Sequence, residues 1–563
     1  MSSYLQSAIE EIYSEGKDFI VLGLTGRTGS GCSTLASILT SEDYDIKNSL
    51  FSGTSPQSNE DRKQKIILKH FNSRWEKFTL LQVRSLITIL ISQSDLPDNA
   101  ENTRNIYGIS EQDFEHLKSL LNDIKITHEK VVESVSGDSC NKDSCNRLLD
   151  YYTRILPSKC NDLKTTLGES NFVKLYQFVG KNLRTSGCVF DVKSSSGNSF
   201  KIAEIINDSI KLIRKANKEL NKNTLIVVDA IRNPFEALFF QERYSSFYLV
   251  AVSCPDLQRK ERLRKLGYND DDICLLDEQE NKSRDVADEK AYSIQDIPSC
   301  IERADVYIHN FNEDDKVAEF KNLANQIIKF VTLMKRPGIV TPTAVERCMQ
   351  LAYTAKLNSG CISRQVGAAI TDSHFSIRAI GWNDAPYGQV PCNLRSRFDL
   401  INGNDIGAYS DFEKKDESFI FHMKDKSKSF AKINQTMNIS YCFKSEYNDL
   451  TKIKNQVHTR SLHAEENAFL QITKYGGQGI ENGYLFTTAS PCELCSKKAY
   501  QLGIKKIYYI DPYPGIAIDH ILHGGSNNPE LILFSGAIGK AFHRLYMPVA
   551  AYKDELNALK DYN

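Results

Sequence analysis

The sequence predicts an α/β protein of two domains, a parallel-sheet domain followed by a layered α/β/α domain. Short β-branched runs alternate with segments of helical spacing in both halves, which implies sheets covered by helices rather than a sandwich or a bundle. A glycine-rich loop lies between such a run and a helix near the start of the chain. The segment from Arg336 to Pro342, RPGIVTP, ends a long amphipathic stretch with Pro-Gly and a second Pro, which makes 336–342 the linker. At 563 residues the chain exceeds what one core organises, and each half is long enough to bury its own. The expected domains are therefore 1–335 and 343–563.

In order along the chain, FIVLGL (Phe19 to Leu24) reads as a buried strand, the glycine loop follows, and STLASIL reads as the helix after it. A long polar and helical stretch, about 41–183, reads as a helical insertion with a mobile loop. TLIVVD (Thr224 to Asp229) and FYLVAV (Phe247 to Val252) read as further parallel strands, because both are continuous apolar runs rather than alternating ones. Beyond the linker, AVERCMQLAYTAK has helical spacing, and VGAAIT and IRAIGW read as strands. A region rich in Lys, Asp and Ser runs from about Arg395 to Gln456. HAEENAFLQIT is then a helix, GYLFTTA a strand, PCELCSKKAYQLG a helix and KKIYYID a strand.

Composition excludes several classes. With 41% hydrophobic and 25% charged residues, and no apolar run near the roughly 20 residues needed to cross a bilayer, no membrane span is expected. The N-terminus carries acids early and has no basic segment followed by an apolar one, so a cytoplasmic location is expected. The 14 cysteines are spread too thinly for a disulfide framework, which favours metal ligands and buried thiols. A net charge of −1 argues against wholesale wrapping of nucleic acid, whereas a small anionic substrate needs only a few cations.

The strongest signal is His463-Ala464-Glu465 followed by Pro491-Cys492-Glu493-Leu494-Cys495. One imidazole and two thiolates make a tetrahedral Zn2+ site with one position open, the arrangement of a catalytic zinc that activates water. Cys492 and Cys495 lie near a helix start, which favours thiolate over thiol. Glu465 sits two positions from His463 and can move protons between water, ring nitrogen and departing ammonia without being a ligand. A bare CxxC is more often a structural knuckle, but His-Ala-Glu and Pro-Cys together make that reading the weaker one.

The N-terminal loop comprises Gly26, Arg27, Thr28, Gly29, Ser30, Gly31, Cys32, Ser33 and Thr34. Between a strand and a helix it offers backbone N–H groups to an anion. Cys32 stands where the phosphate-loop motif has Lys, so phosphate binding survives better than phosphoryl transfer. Asp229 ends a strand as a Walker B acid does, with Arg232-Asn233-Pro234 after it. Arg259, Arg262 and Arg264 of CPDLQRKERLR lie on a lid-like helix. This part resembles small P-loop kinases, and the resemblance implies a nucleotide-binding, kinase-like domain.

Residues from Ala344 to Asp511 resemble the deoxycytidylate deaminase family, through the zinc motif and through CISRQVGAAI and GWNDAPYG. That resemblance implies a cytidine-deaminase-like fold, Asn383 holding the sugar and Tyr513 stacking on or abutting the substrate. It also makes Cys361, Cys392, Cys442 and His458 candidates for a second, structural zinc. A P-loop kinase-like domain fused to such a deaminase, with the extension YPGIAIDHILHGGSNNPELILFSGAIGKAFHRLYMP, is similar to the bacterial anti-phage dCTP deaminases. It implies deamination of dCTP and of dCMP, depletion of the dCTP pool during infection, an inhibitory small RNA and a homo-oligomer. The defective loop adds a regulatory nucleotide. Two other readings stay open: a deaminase that edits nucleic acid, and a nucleotide-binding switch in which deamination is incidental.

Overall fold

Phe19–Thr25 forms strand β1, and all of its residues are buried. It pairs in parallel with Thr224–Asp229 (β3) on one side and Phe247–Ser253 (β4) on the other. Thr79–Gln82 (β2) extends the sheet beyond β3 and Val306–His309 (β5) beyond β4, all in parallel. The order is β5-β4-β1-β3-β2. A central parallel strand covered on both faces has no need of alternation, which is why FIVLGL and TLIVVD are apolar throughout. Each buried Leu, Ile or Val contributes about 1.5–3 kcal/mol of transfer free energy. Cys32–Thr40 (α1) follows β1 through the glycine loop, and Asp256–Lys265 (α2) and Asp270–Glu280 (α3) follow β4.

The structure, a computed structural model, describes residues 11, 18–42, 55–94, 111–137, 140–190, 200–280, 294–311, 316–430, 437–455, 457–476, 479–510 and 517–558. Two compact units divide the chain, Met1–Thr341 with Lys540–Asn563, and Pro342–Gly539. The sequence reading assigned all of 343–563 to the second domain, but the last segment belongs with the first unit. There the Gly338 N–H donates to the Leu545 carbonyl at 2.9 Å, Arg336 pairs with Glu555, and the Arg544 guanidinium lies 4.4 Å from the Tyr248 ring centre. The stretch 41–183 is also not purely helical, since β2 lies inside it and pairs with β3. Among the described residues no helix is long and apolar enough to cross a membrane.

The second unit is built on a five-stranded mixed sheet. Gly367–Thr371 (β6) pairs antiparallel with Ile377–Trp382 (β7) and with Tyr484–Thr487 (β8). Lys506–Tyr509 (β9) and Glu530–Leu533 (β10) continue from β8 in parallel. Three helices matter for the site: Ala344–Lys356 (α4), Ala464–Tyr475 (α5) and Glu493–Gln501 (α6). α4 starts with a capping box, in which Thr343 Oγ1 accepts from the Glu346 N–H and the Glu346 carboxylate accepts from the Thr343 N–H. Ala464, Ala468, Phe469 and Ala499 bury their side chains with Ala368, Ile370, Leu485 and Ile507 of the strands. That shared core fixes α5 and α6 relative to β8, and so fixes where their first turns meet.

Candidate active site

The N-termini of α5 and α6 converge beyond the end of β8. His463 is the residue that caps α5, Cys492 caps α6, and Cys495 lies in the first turn of α6. His463 Nδ1 is 3.2 Å from Cys492 Sγ and 3.5 Å from Cys495 Sγ, and the three ligand atoms all lie within 4.8 Å of one another. Tetrahedral zinc, with Zn–S near 2.3 Å and Zn–N near 2.0 Å, sets S···N edges at about 3.5 Å, so this donor set fits the ion. The Cys492–Cys495 hydrogen bond, with help from His463 and against burial, holds the Cys492 thiol down to about 3, and the same bond together with burial pushes Cys495 up. A site that favours one thiolate at a helix N-terminus beside an imidazole is prepared for a cation.

Glu465 occupies the first turn of α5 and is 4% exposed. Burial raises its carboxyl above the ordinary 4.5, against the hydrogen bonds that lower it. Thr487 Oγ1, at the end of β8, donates to Glu465 Oε1 at 3.0 Å, which fixes the carboxylate without removing its second oxygen. The helix itself is held close to β7. The Asn467 side chain donates to the Trp382 carbonyl at 2.9 Å, and a Cβ on Gly381 would lie 2.4 Å from both the Ala464 carbonyl oxygen and the Ala468 nitrogen. Glu466 pairs with Lys498, tying α5 to α6.

Asn383 is buried at the end of β7, in the loop beside this site. Its Oδ1 accepts from the Val366 N–H at 2.7 Å and from Ser359 Oγ at 2.9 Å, and its Nδ2 donates to the Arg364 carbonyl at 2.7 Å. The amide therefore ties the residue after β7 to the segment from Ser359 to Val366 that leads into β6. Tyr513 lies outside the described residues. Among the described residues, His463, Cys492 and Cys495 form the one set of at least three metal-ligating groups at ligand distance. Cys361, Cys392, Cys442 and His458 are not drawn into such a set. Cys392 is buried and its thiol is pushed up first by that burial and then by Cys442 and Cys361, while His458 is exposed and packs edge-on against Tyr447 at 4.8 Å.

Sequence reasoning missed two features near this centre. Thr487 carries no motif. The charged stretch after Arg395 folds around a small core of Leu400, Ala408, Tyr409, Phe419, Met423 and Tyr441. Arg395 and Glu413 are fully buried as an ion pair there, the Tyr441 hydroxyl donates to Glu413 Oε1 at 2.7 Å, and Arg460, just ahead of His463, reaches Glu413 Oε2 at 3.3 Å.

In the first unit, Gly26 to Thr34 run from the end of β1 into α1. Gly29 and Gly31 have φ of 86° and 110°, the left-handed region that favours glycine. Ser33 Oγ donates to Asp229 Oδ2 at 2.9 Å, and burial with Asp229 pushes the Cys32 thiol up to about 12, so Cys32 brings no charge. Arg259 is buried and bound to Asp256, Asp277 and the Thr28 carbonyl. Arg262 reaches the Asn310 carbonyl at 3.2 Å, and Arg264 pairs with Asp270 at the surface.

Residues 342–511 match the family model "Cytidine and deoxycytidylate deaminase zinc-binding region". The deoxycytidylate deaminase of Enterobacteria phage T2 is 29% identical over 167 residues, which cover 29% of this chain and 78% of the phage protein. That of phage T4 is 29% identical over the same length, 76% of its own chain. A solved dCMP deaminase of cyanophage S-TIM5, in complex with dCMP and dUMP, is 23% identical with a TM-score of 0.21, covering 35% of this chain and 99% of that one. Residues 342–511 thus match the zinc-binding region that this model of cytidine and deoxycytidylate deaminases describes.

Proposed function

We propose that the chain hydrolytically deaminates dCMP and dCTP to dUMP and dUTP, with Zn2+ held by His463, Cys492 and Cys495 and with Glu465 as the proton carrier. The observation that carries this reading is the meeting of one imidazole and two thiols at tetrahedral spacing, directly beside a buried carboxylate that is not itself a ligand. Bound zinc supplies Lewis acidity, which brings water to nucleophilic strength near neutral pH. Glu465 takes a proton from the attacking water, passes it to the ring nitrogen beside the amino-bearing carbon, and delivers the next to the departing amine. Burial matches this role, because desolvation raises the carboxyl above its ordinary value and so favours its taking up a proton. Thr487 keeps Oε1 oriented so that the other oxygen faces the reaction.

Asn383 keeps one amide hydrogen beyond its loop contacts, and we assign it to the sugar; Tyr513 is assigned to the substrate by resemblance. The triphosphate substrate, depletion of the dCTP pool against phage and control by a small RNA rest on the resemblance of the whole chain. Regulation by a nucleotide at Gly26 to Thr34 rests on a loop that keeps its N–H donors but has Cys32 in place of Lys. The decisive experiment is ammonia release from dCMP, dCTP, CTP and a cytosine oligonucleotide by the purified chain. Activity on the free deoxynucleotides supports the reading; activity confined to the oligonucleotide overturns it.

A further inference from the structure

The glycine loop already holds anions, and they are the chain's own. Glu280, at the end of α3, is 1% exposed. Its two carboxylate oxygens accept from the Thr28 N–H at 3.1 and 3.2 Å, Oε1 also accepts from the Thr28 hydroxyl, and Arg232 Nη1 pairs with it at 2.9 Å. One turn earlier on the same helix, Asp277 pairs with Arg27 Nη2 at 2.7 Å and with Arg259 Nη2 at 2.8 Å. Asp256 of α2 completes the set, 2.9 Å from each of those two guanidinium groups. Positions i and i+3 share a helix face, so Asp277 and Glu280 reach the loop together. A backbone N–H ahead of a helix N-terminus, a hydroxyl and guanidinium groups are the donors that phosphate oxygens take.

We propose that Asp277 and Glu280 are built-in competitors for nucleotide phosphate at this loop, so that a polyphosphate binds by displacing their carboxylates from Thr28, Arg232 and Arg27. The proposal rests on reading the loop as a nucleotide site and goes beyond it by naming the residues that set its affinity. Glu280 holds the deeper position. It is buried, and it takes the loop's N–H as well as a cation, so a phosphate oxygen and this carboxylate cannot share the same donors. Displacement is chemically feasible because phosphate carries more charge than the carboxylate it replaces and meets the same donors. The loop is then held at low affinity, and nucleotide binding is coupled to release of α3 from it.

The test uses the full chain and two probes, inorganic tripolyphosphate and Mg·ATP, titrated by calorimetry. Glu280→Gln removes the competing charge and keeps the shape, and we expect it to tighten tripolyphosphate binding on the order of tenfold, about 1.4 kcal/mol. Glu280→Asp withdraws the charge by one methylene and should give a smaller gain; it serves if the Gln variant does not fold. Glu278→Gln, on an exposed side chain of the same helix, should change affinity by less than about twofold. Unchanged or weaker binding by the Glu280 variants, or an equal gain from Glu278→Gln, overturns the proposal. If neither probe binds any variant, the nucleotide-site reading fails with it. If binding tightens while dCMP deamination is indifferent to either probe, regulation fails and the competitor stands.

Discussion

Replacing Glu465 with Gln separates the chemistry of the site from its architecture. The amide has the same shape, and its oxygen still accepts the Thr487 hydroxyl now 3.0 Å from Oε1, so α5 and the ligand His463 keep their places. It cannot carry protons. Positioned acid–base groups contribute about 10²–10⁴ in rate, so turnover of dCMP should fall by that factor, roughly 3–5 kcal/mol in barrier. Zinc should stay at the native level, because no ligand has changed. Stability should hold or rise, since Glu465 is 4% exposed and burial penalises its charged form. The assay is ammonia release at saturating dCMP, with metal content and melting temperature measured on the same preparation. Turnover within tenfold of native at full zinc loading would refute the assignment. So would loss of zinc in proportion to activity, which would make Glu465 a structural support.

Cys492→Ser should lose zinc and activity together, whereas Cys392→Ser should retain one zinc per chain by elemental analysis; two zincs in the native chain, one of them lost in Cys392→Ser, would support the second site. Gly381→Ala places a Cβ 2.4 Å from backbone atoms of α5, so it should shift Glu465 and lower kcat by about 10–100-fold, and a variant with native kcat would show that α5 has slack. Glu413→Gln leaves Arg395 buried without its anion and should cost about 3–5 kcal/mol in thermal or urea unfolding at neutral pH. Burial raises the Glu413 carboxyl, but Arg395 and the hydrogen bonds from Ser410 and Tyr441 outweigh it and hold it below the ordinary 4.5. The stabilisation is therefore complete above pH 4.5 and lost as pH falls through the lower folded value. The native chain should lose stability over that acid range more steeply than the Gln variant, and parallel curves would exclude this pair as the cause.

The cluster of His463, Cys492 and Cys495 was legible because its residues lie at short spacings: Glu465 is two positions from His463, and CxxC puts two thiols on one helix start. The central strands were legible because burial on both faces leaves continuous apolar runs. β2 was not, since TLLQ is four residues and too short to show a period. The stretch after Arg395 reads as polar because Lys, Asp and Ser are frequent in it, yet Arg395 and Glu413 cancel one another inside a core of separated Leu, Phe, Met and Tyr side chains. Thr487 and Glu280 act across long sequence separations through single contacts, Glu280 meeting Thr28 from 252 residues away, and no local pattern marks either.

Cys32 also takes on a different meaning once the loop is seen folded. From the sequence, the missing Lys reads as a lost cation and a weakened phosphate site. In the folded loop, cations come from elsewhere, Arg27, Arg232 and Arg259, and each is matched by Asp256, Asp277 or Glu280. With Cys32 neutral, the charges of these three arginines and three acids sum to zero. A Lys at position 32 would add a cation to this balanced set, beside Asp229, and so favour occupancy by a polyphosphate. Under the proposed competition, affinity is multiplied by the fraction of molecules in which the carboxylates have left, so a polyphosphate would occupy the loop only above a threshold that Glu280 sets. On this argument Cys32→Lys should raise tripolyphosphate affinity even with Glu280 intact, and adding Glu280→Gln should raise it again. A Lys variant that binds no more tightly than the native chain would show that charge balance does not govern this loop.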